Sequence, residues 1–227
     1  MQVSPSPSPA CWSCHAATDG AHFCPACGKI QPLASADYFA FFGLPQRLQL
    51  DADDLERRYL SLSWKLHPDN FVRADQFERD LSLELSSQLN DAYRTLRDPV
   101  SRVEYLLARL GVRKEGQTRQ QAPPELLEEV FELNESLEEL HMAREAGGDG
   151  DETAELRRRL EEAGRGFEKK LADVDAELAA ASRDLDAAMD GARDPLLARL
   201  NEILNRRSYI RNLVANVARE LQEGEPA

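Results

Sequence analysis

Four cysteines fall within one short stretch, "CWSCHAATDGAHFCPAC", as Cys11, Cys14, Cys24 and Cys27 in a C-x2-C-x9-C-x2-C arrangement. Two C-x2-C pairs bracketing a short polar loop can place four thiolates around one tetrahedral ion. Pro25 and Gly28 suit the tight turns such a knuckle needs. His15 and His22 lie nearby, but four thiolates already fill the shell. A structural zinc is therefore expected, in a closed site with no catalytic role. Three other chemistries compete for the same residues. Two disulfides are disfavoured in a reducing cytosol. A redox pair normally precedes a helix in a βαβ unit, and no such pattern is present. Iron–sulfur ligation is the main rival. A module this short holds no core of its own, so its folding should depend on the metal.

A second constellation is His67-Pro68-Asp69 in "SLSWKLHPDNFV". An imidazole beside a carboxylate could serve as a general base with its orienter. The chain supplies little else for catalysis. No serine or cysteine nucleophile has a recognisable context, no Gly-rich phosphate loop occurs, and there is no second His/carboxylate cluster. A binding role fits better. Pro68 stops the preceding helix and stiffens the turn, which lowers the entropic cost of presenting His67 and Asp69. Asp69 is an acceptor-only carboxylate, suited to a forked arginine from a partner.

These residues need elements to hold them. The segment "LDADDLERRYLSLSWKL" reads as a helix capped by Asp51 or Asp53. Leu55, Tyr59, Leu62 and Leu66 form one apolar face. At about 100° per residue, Arg57, Arg58, Ser61 and Lys65 fall on the other side. That basic face is either ordinary solvated surface or a docking patch for an acidic partner. A short amphipathic segment precedes it in "ASADYFAFFGLP", with Tyr38, Phe39, Phe41, Phe42 and Leu44 apolar. After the turn, a helix over 75–96 should bury Phe77, Leu81, Leu85, Leu89, Ala92 and Leu96. "DPVSRVEYLLARLG" follows as another helix, capped by Asp98, with Pro99 in its first turn and Gly111 closing it.

Residues 112–124 read as a polar linker. Three long helices are then expected. The first is "PELLEEVFELNESLEELHMAREA", ending at "GGDG". The second covers 153–189, with an apolar stripe of Leu156, Leu160, Phe167, Leu171, Val174, Leu178, Leu185 and Met189; Gly164 and Gly166 weaken it and favour a bend. The third, after "DGARDP", covers 195–221. Short turns between long amphipathic helices imply antiparallel neighbours and a three-helix bundle. The expected fold class is all-α. It comprises a disordered lead (1–10), a tetracysteine zinc knuckle (11–34), a helical-hairpin domain with an extension helix (35–111), the linker (112–124) and the bundle (125–222).

Composition narrows the function. The 227 residues are 42% hydrophobic, 30% charged and only 7% aromatic, a balance that suits amphipathic helices, and the formal net charge is -13. Such a surface disfavours nucleic acid or an anionic membrane as main partner, although a local basic face is compatible with it. No run approaches the roughly 18 apolar residues of a membrane span. "MQVSPSPSPA" has neither a basic residue nor an apolar core, so it reads as no targeting signal but as a Ser-Pro lead-in. The expected compartment is the cytoplasm, for a monomer or weak homodimer.

The pattern resembles a known family. "HPD" between a helix with basic outer residues and a following helix is similar to the J-domain signature. "DYFAFFGLP" resembles the opening of HscB-type co-chaperones of iron–sulfur cluster assembly. "LNDAYRTLRDPVSRVEYLLARLG" resembles their third helix with its extension, and "ELLEEVFELNESLEEL" the first helix of their C-terminal bundle. The likeness runs from about Asp37 to Leu221; the knuckle resembles one that precedes the J-domain in some members. It implies that His67, Pro68 and Asp69 trigger ATP hydrolysis in an HscA- or DnaK-type chaperone, with Arg57, Arg58 and Lys65 steering the docking. It further implies that Leu127, Phe131, Glu132, Glu135, Glu139 and Tyr209 bind the scaffold protein IscU. Phe131, Glu135 and Glu139 step by four along one face, whereas Leu127 and Phe131 could equally be bundle core. Glu128 stands where members often carry an apolar residue. Two rival readings remain. A generic J-protein for varied clients would be expected to carry a Gly/Phe-rich linker and a β-rich domain, which are missing. A zinc-ribbon adaptor for nucleic acid would have only Trp12, Phe23 and Lys29 near the cysteines.

Overall fold

The computed structural model describes residues 10–33, 37–113, 123–145 and 150–222. Most of the expected lead (1–9) and of the expected linker (114–122) lies outside the described residues. The chain forms two units, Met1–Arg102 and Val103–Ala227. Among the described residues there are helices and two isolated antiparallel bridges, Ala10 with Ala17 and Phe23 with Ile30, but no strand, so the fold is all-α.

The first unit is built on a helical hairpin. Helix α1 (Tyr38–Phe41) is a single turn whose N-cap, Asp37, accepts from the Phe39 N–H; it buries Phe39 and Phe41. Helix α2 (Ala52–Leu66) is capped by Asp51, which accepts from the amides of Asp53 and Asp54 and so decides between the two candidate caps. A short 3-10 turn, Pro68–Phe71, leads to helix α3 (Gln76–Arg97), where Asp75 accepts from the Glu78 N–H. The hairpin core comprises Leu55 and Leu66 of α2 against Leu81, Leu85, Leu89, Ala92 and Leu96 of α3. Phe77 departs from the expected stripe: it is 48% exposed. It lies in the first turn of α3, beyond the end of α2, and its ring meets Trp12 of the cysteine module instead.

Helix α4 (Pro99–Arg109) follows directly. Asp98 accepts from the Ser101 N–H at 2.7 Å, and Gly111 takes φ +73° after the helix, a conformation open to glycine without steric cost. Arg102 is buried and fastens this junction. Its guanidinium donates to the Leu96 carbonyl at 2.6 Å and to the Leu48 carbonyl at 2.5 Å, so it satisfies a carbonyl left over at the end of α3.

The second unit is a three-helix bundle of α5 (Leu127–Glu145), α6 (Asp151–Ala187) and α7 (Arg193–Gln222). Its buried positions recur in steps of seven: Leu126, Leu133 and Leu140; Leu160, Phe167, Val174 and Ala181; Ile203, Ile210 and Val217. That period keeps one seam facing its neighbours along a whole helix. Two expectations need correction. Helix α6 runs unbroken through Gly164 and Gly166 but stops at Ala187, so Met189 lies past its end and is 86% exposed. Gly164 serves close packing: a Cβ there would sit 3.1 Å from Val217 Cγ1. The segment read as a linker also begins with a buried anchor. Arg113 donates to Asn201 and Asn205 of α7, each at 2.8 Å, and pairs with Glu104 at 3.8 Å.

Candidate metal centre and docking surfaces

Each C-x2-C pair forms a tight turn whose amides point at sulfur. The Ser13 and Cys14 amides donate to Cys11 Sγ at 3.3 and 3.4 Å, and the Ala26 amide donates to Cys24 Sγ at 3.4 Å. The two turns close alike: His15 donates to the Cys11 carbonyl, and Gly28 to that of Cys24. Both residues have left-handed backbone, with φ of +62° and +75°. His15 is thus the turn residue matching Gly28, a role histidine tolerates better than most side chains.

The four sulfurs lie within 4.8 Å of one another. Cys11 is 3.7 Å from Cys27, and Cys14 is 3.6 Å from Cys24. A disulfide needs about 2.05 Å, and all four thiols are free. A tetrahedron with metal–sulfur arms of about 2.3 Å has edges of about 3.8 Å, which these separations match. Although the Lys29 N–H lowers it, burial and the neighbouring sulfurs push the Cys27 thiol up to about 12. Four sulfurs this close resist joint ionisation, and a bound cation would relieve that repulsion. The residues therefore fit a metal ion.

The cysteine module is seated on the hairpin. Trp12 donates its indole N–H to the Ile30 carbonyl at 2.7 Å and meets Phe77 edge-on at 4.9 Å. Lys29 bonds Glu78 at 2.7 Å, with Asp75 at 3.9 Å. His22 meets Phe41 edge-on at 4.6 Å. Burial, then the nearby Lys65 charge, hold the His22 imidazole down at about 4. The module thus touches α1 and the first turn of α3.

At the other candidate site, His67 leaves α2 with φ -57° and ψ 131°, the extended backbone that a following proline favours. Pro68 then opens the 3-10 turn. The Asp69 amide donates to His67 Nδ1 at 3.3 Å, and the Asp69 carboxylate lies 3.5 Å from that nitrogen. The Asp69 side chain is 86% exposed. The backbone beneath is tightly held. Asn70 Nδ2 donates to the Trp64 carbonyl at 2.7 Å, while Ser82 and Ser86 both donate to the Leu66 carbonyl, at 2.7 and 3.0 Å. Side chains thus replace the partners that the last helical carbonyls lose. Phe71 is buried behind the turn.

The basic face of α2 is unevenly available. Arg58 bonds Asp54 at 2.8 Å and the Phe42 carbonyl at 3.0 Å, which ties it to the segment after α1. Arg57 also reaches Asp54, at 3.1 Å, but remains largely exposed, as does Lys65. Two apolar residues share the outer surface: Leu60 is 58% exposed and Trp64 78%.

On α5, Leu127 and Phe131 are 56% and 70% exposed, so neither belongs to the bundle core, which takes Leu133 and Leu140. Glu132, Glu135 and Glu139 line a groove of about 630 Å³ between α5 and α6, together with Leu133, Glu162 and Phe167. Lys170 also lines it and pairs with Glu129 at 2.8 Å. Leu127 and Phe131 lie outside that lining, as does Tyr209, half-buried on α7. No helix among the described residues is long and apolar enough to cross a membrane.

No family model matches the chain. A co-chaperone HscB homologue from Azoarcus sp. (strain BH72) is 36% identical over 138 residues, covering 61% of this chain and 76% of the relative. The HscB homologue of Vibrio parahaemolyticus is 39% identical over 104 residues, 46% of this chain; the match spans 61% of that relative's length. Among solved structures, human co-chaperone HscB superposes with a TM-score of 0.63 at 27% identity, over 93% of this chain and 98% of that one. HscB from Vibrio cholerae gives 0.51 at 28% identity, over 82% and 98%. A helical hairpin with His-Pro-Asp at its tip, followed by a helical bundle, is thus the architecture of a J-domain protein. The chain belongs to the HscB co-chaperone family.

Proposed function

We propose that the chain is a co-chaperone that brings an IscU-type iron–sulfur scaffold to an HscA- or DnaK-type chaperone and stimulates that chaperone's ATPase. The observation that carries this reading is the tip, in a chain of this family: Asp69 stands 86% exposed on a turn that follows a helix end whose Trp64 and Leu66 carbonyls are held by Asn70, Ser82 and Ser86. An exposed carboxylate presented on a held backbone loses less entropy when a partner arginine closes on it. His67 and Pro68 set the turn, and Arg57 and Lys65 attract an acidic partner surface. Arg58 supports the hairpin and contributes to steering only through its charge. The chain itself performs no hydrolysis; the chemistry belongs to the chaperone.

In the same reading, Leu127 and Phe131 with Glu132, Glu135 and Glu139 form the scaffold-binding surface of the bundle, with Tyr209 contributing from α7. An exposed aromatic beside carboxylates suits a partner with an apolar patch and a basic rim. Cys11, Cys14, Cys24 and Cys27 hold zinc in a structural role, and the protein works in the cytoplasm. The test is the steady-state ATPase of a DnaK-type chaperone with increasing amounts of this protein. Wild type is expected to raise turnover saturably and Asp69→Asn to leave it at the basal rate. Equal stimulation by both would refute the role of the tip.

A further inference from the structure

The outer face of α2 is not simply basic. At about 100° per residue, Leu60 and Trp64 sit one turn apart, and Trp64 is only about 20° around the axis from Arg57. They point away from the buried stripe of Leu55 and Leu66. Neither contributes to the hairpin core, yet both are large and exposed, at 58% and 78%. Together with Ser63, His67, Asp69 and Asn70 they line a groove of about 490 Å³. The tip and this apolar pair are therefore one continuous surface.

We propose that Leu60 and Trp64 form an apolar anchor site that seats an apolar side chain of the same DnaK-type chaperone that engages Asp69. The proposal rests on the co-chaperone reading and adds a specificity-determining contact to it. Three features identify the occupant. Asp69 lines the groove, so a partner that reaches this carboxylate also covers Trp64. Arg57, one turn before Leu60 on the same helix face, and Lys65, next to Trp64 in the chain, are both exposed, so a matching surface carries carboxylates beside an apolar centre. Trp64 is also held from below, because Asn70 Nδ2 bonds its carbonyl at 2.7 Å. A tryptophan with two side-chain torsions on a pinned helix end loses little entropy on binding. Central aromatics ringed by polar contacts dominate many interfaces, while rim charges mostly set the rate of encounter. Asp69 thus triggers the partner and Trp64 supplies grip.

The test titrates the full chain against a DnaK-type chaperone and reads half-saturating concentration and maximal ATPase separately. Trp64→Ala should raise the half-saturating concentration at least about tenfold, with maximal stimulation kept within about twofold. Trp64→Phe should recover most of the loss. Circular dichroism should show an unchanged thermal midpoint for Trp64→Ala, since an exposed helical site tolerates alanine. If Trp64→Ala matches wild type while Asp69→Asn abolishes stimulation, the anchor is wrong and the co-chaperone reading stands. If wild type itself fails to stimulate, that reading falls and the anchor with it. Sedimentation velocity covers the other occupant: a wild-type dimer lost in Trp64→Ala, with half-saturation unchanged, would assign the face to a second copy of this chain and overturn the proposal.

Discussion

The Leu66 carbonyl, the last of α2, accepts two buried or half-buried hydroxyl donors, Ser82 Oγ at 2.7 Å and Ser86 Oγ at 3.0 Å. This redundancy makes a quantitative prediction. Replacing Ser82 by alanine removes one hydrogen bond, worth about 1 kcal/mol net, and regains roughly 0.4 kcal/mol of helix propensity. The carbonyl keeps Ser86, so the single change should cost only about 0.5–1 kcal/mol. Ser86→Ala should cost no more, because Ser82 then remains. The double variant leaves the carbonyl without a partner beside the fully buried Leu66 side chain. An orphaned buried acceptor costs about 2 kcal/mol, against about 1 kcal/mol for the first hydrogen bond lost, so the double should exceed the sum of the singles by about 1 kcal/mol. Both tryptophans of the chain, Trp12 and Trp64, lie in the unit Met1–Arg102. Urea unfolding followed by tryptophan fluorescence therefore reports this unit without the bundle. Additivity within about 0.3–0.5 kcal/mol, the range for independent sites, would refute the idea that the two serines share one carbonyl.

Other consequences are testable by simple variants. Chelation of the metal, or Cys14→Ser, should free Trp12 and Lys29 from Phe77 and Glu78; amide exchange in the first turn of α3 should then accelerate, while exchange in α7 stays unchanged. Phe131→Ala should alter stability by less than about 0.5 kcal/mol, as for an exposed site, yet weaken scaffold binding in calorimetric titrations about tenfold or more; Glu135→Ala should weaken it less. Leu133→Ala, from the buried side of α5, should instead cost about 2–5 kcal/mol in thermal unfolding of the bundle. Gly164→Ala should destabilise that bundle in the same assay despite alanine's higher helix propensity, because its Cβ would press on Val217 at 3.1 Å.

Where periodicity and local signals agree, the structure follows them closely. The stripe from Leu81 to Leu96, a cap at Asp51 or Asp53, the cap at Asp98, the closing Gly111 and the three long helices are all legible from spacing and residue type. The cysteine spacing likewise anticipates the sulfur cluster. The departures occur where a residue fits the helical period but its neighbours lie elsewhere. Phe77 has the correct phase for the α3 stripe, yet α2 has ended before it, and Trp12 takes its place. Met189 keeps the α6 period on paper, but the helix has stopped. Arg113 reads as polar linker because nothing local reveals Asn201 and Asn205, some ninety positions away. Leu127 and Phe131 could not be placed from α5 alone. Apolar residues occur around much of that helix, and only packing against α6 shows that Leu133 and Leu140 face inward. The pair Leu60 and Trp64 is legible in the sequence as an apolar step of i and i+4 opposite the buried stripe, on the same outer face as Arg57.

In the function we propose, the exposed tip acts on a chaperone while the bundle holds its cargo. Single-turnover ATP hydrolysis by a DnaK-type chaperone, with this protein and an IscU-type scaffold added separately and together, tests it most directly. Wild type should accelerate hydrolysis, and more strongly with the scaffold present than the two additions summed. Asp69→Asn should still bind the scaffold but give no acceleration. Acceleration by Asp69→Asn equal to wild type, or none from wild type with the scaffold present, would contradict the account.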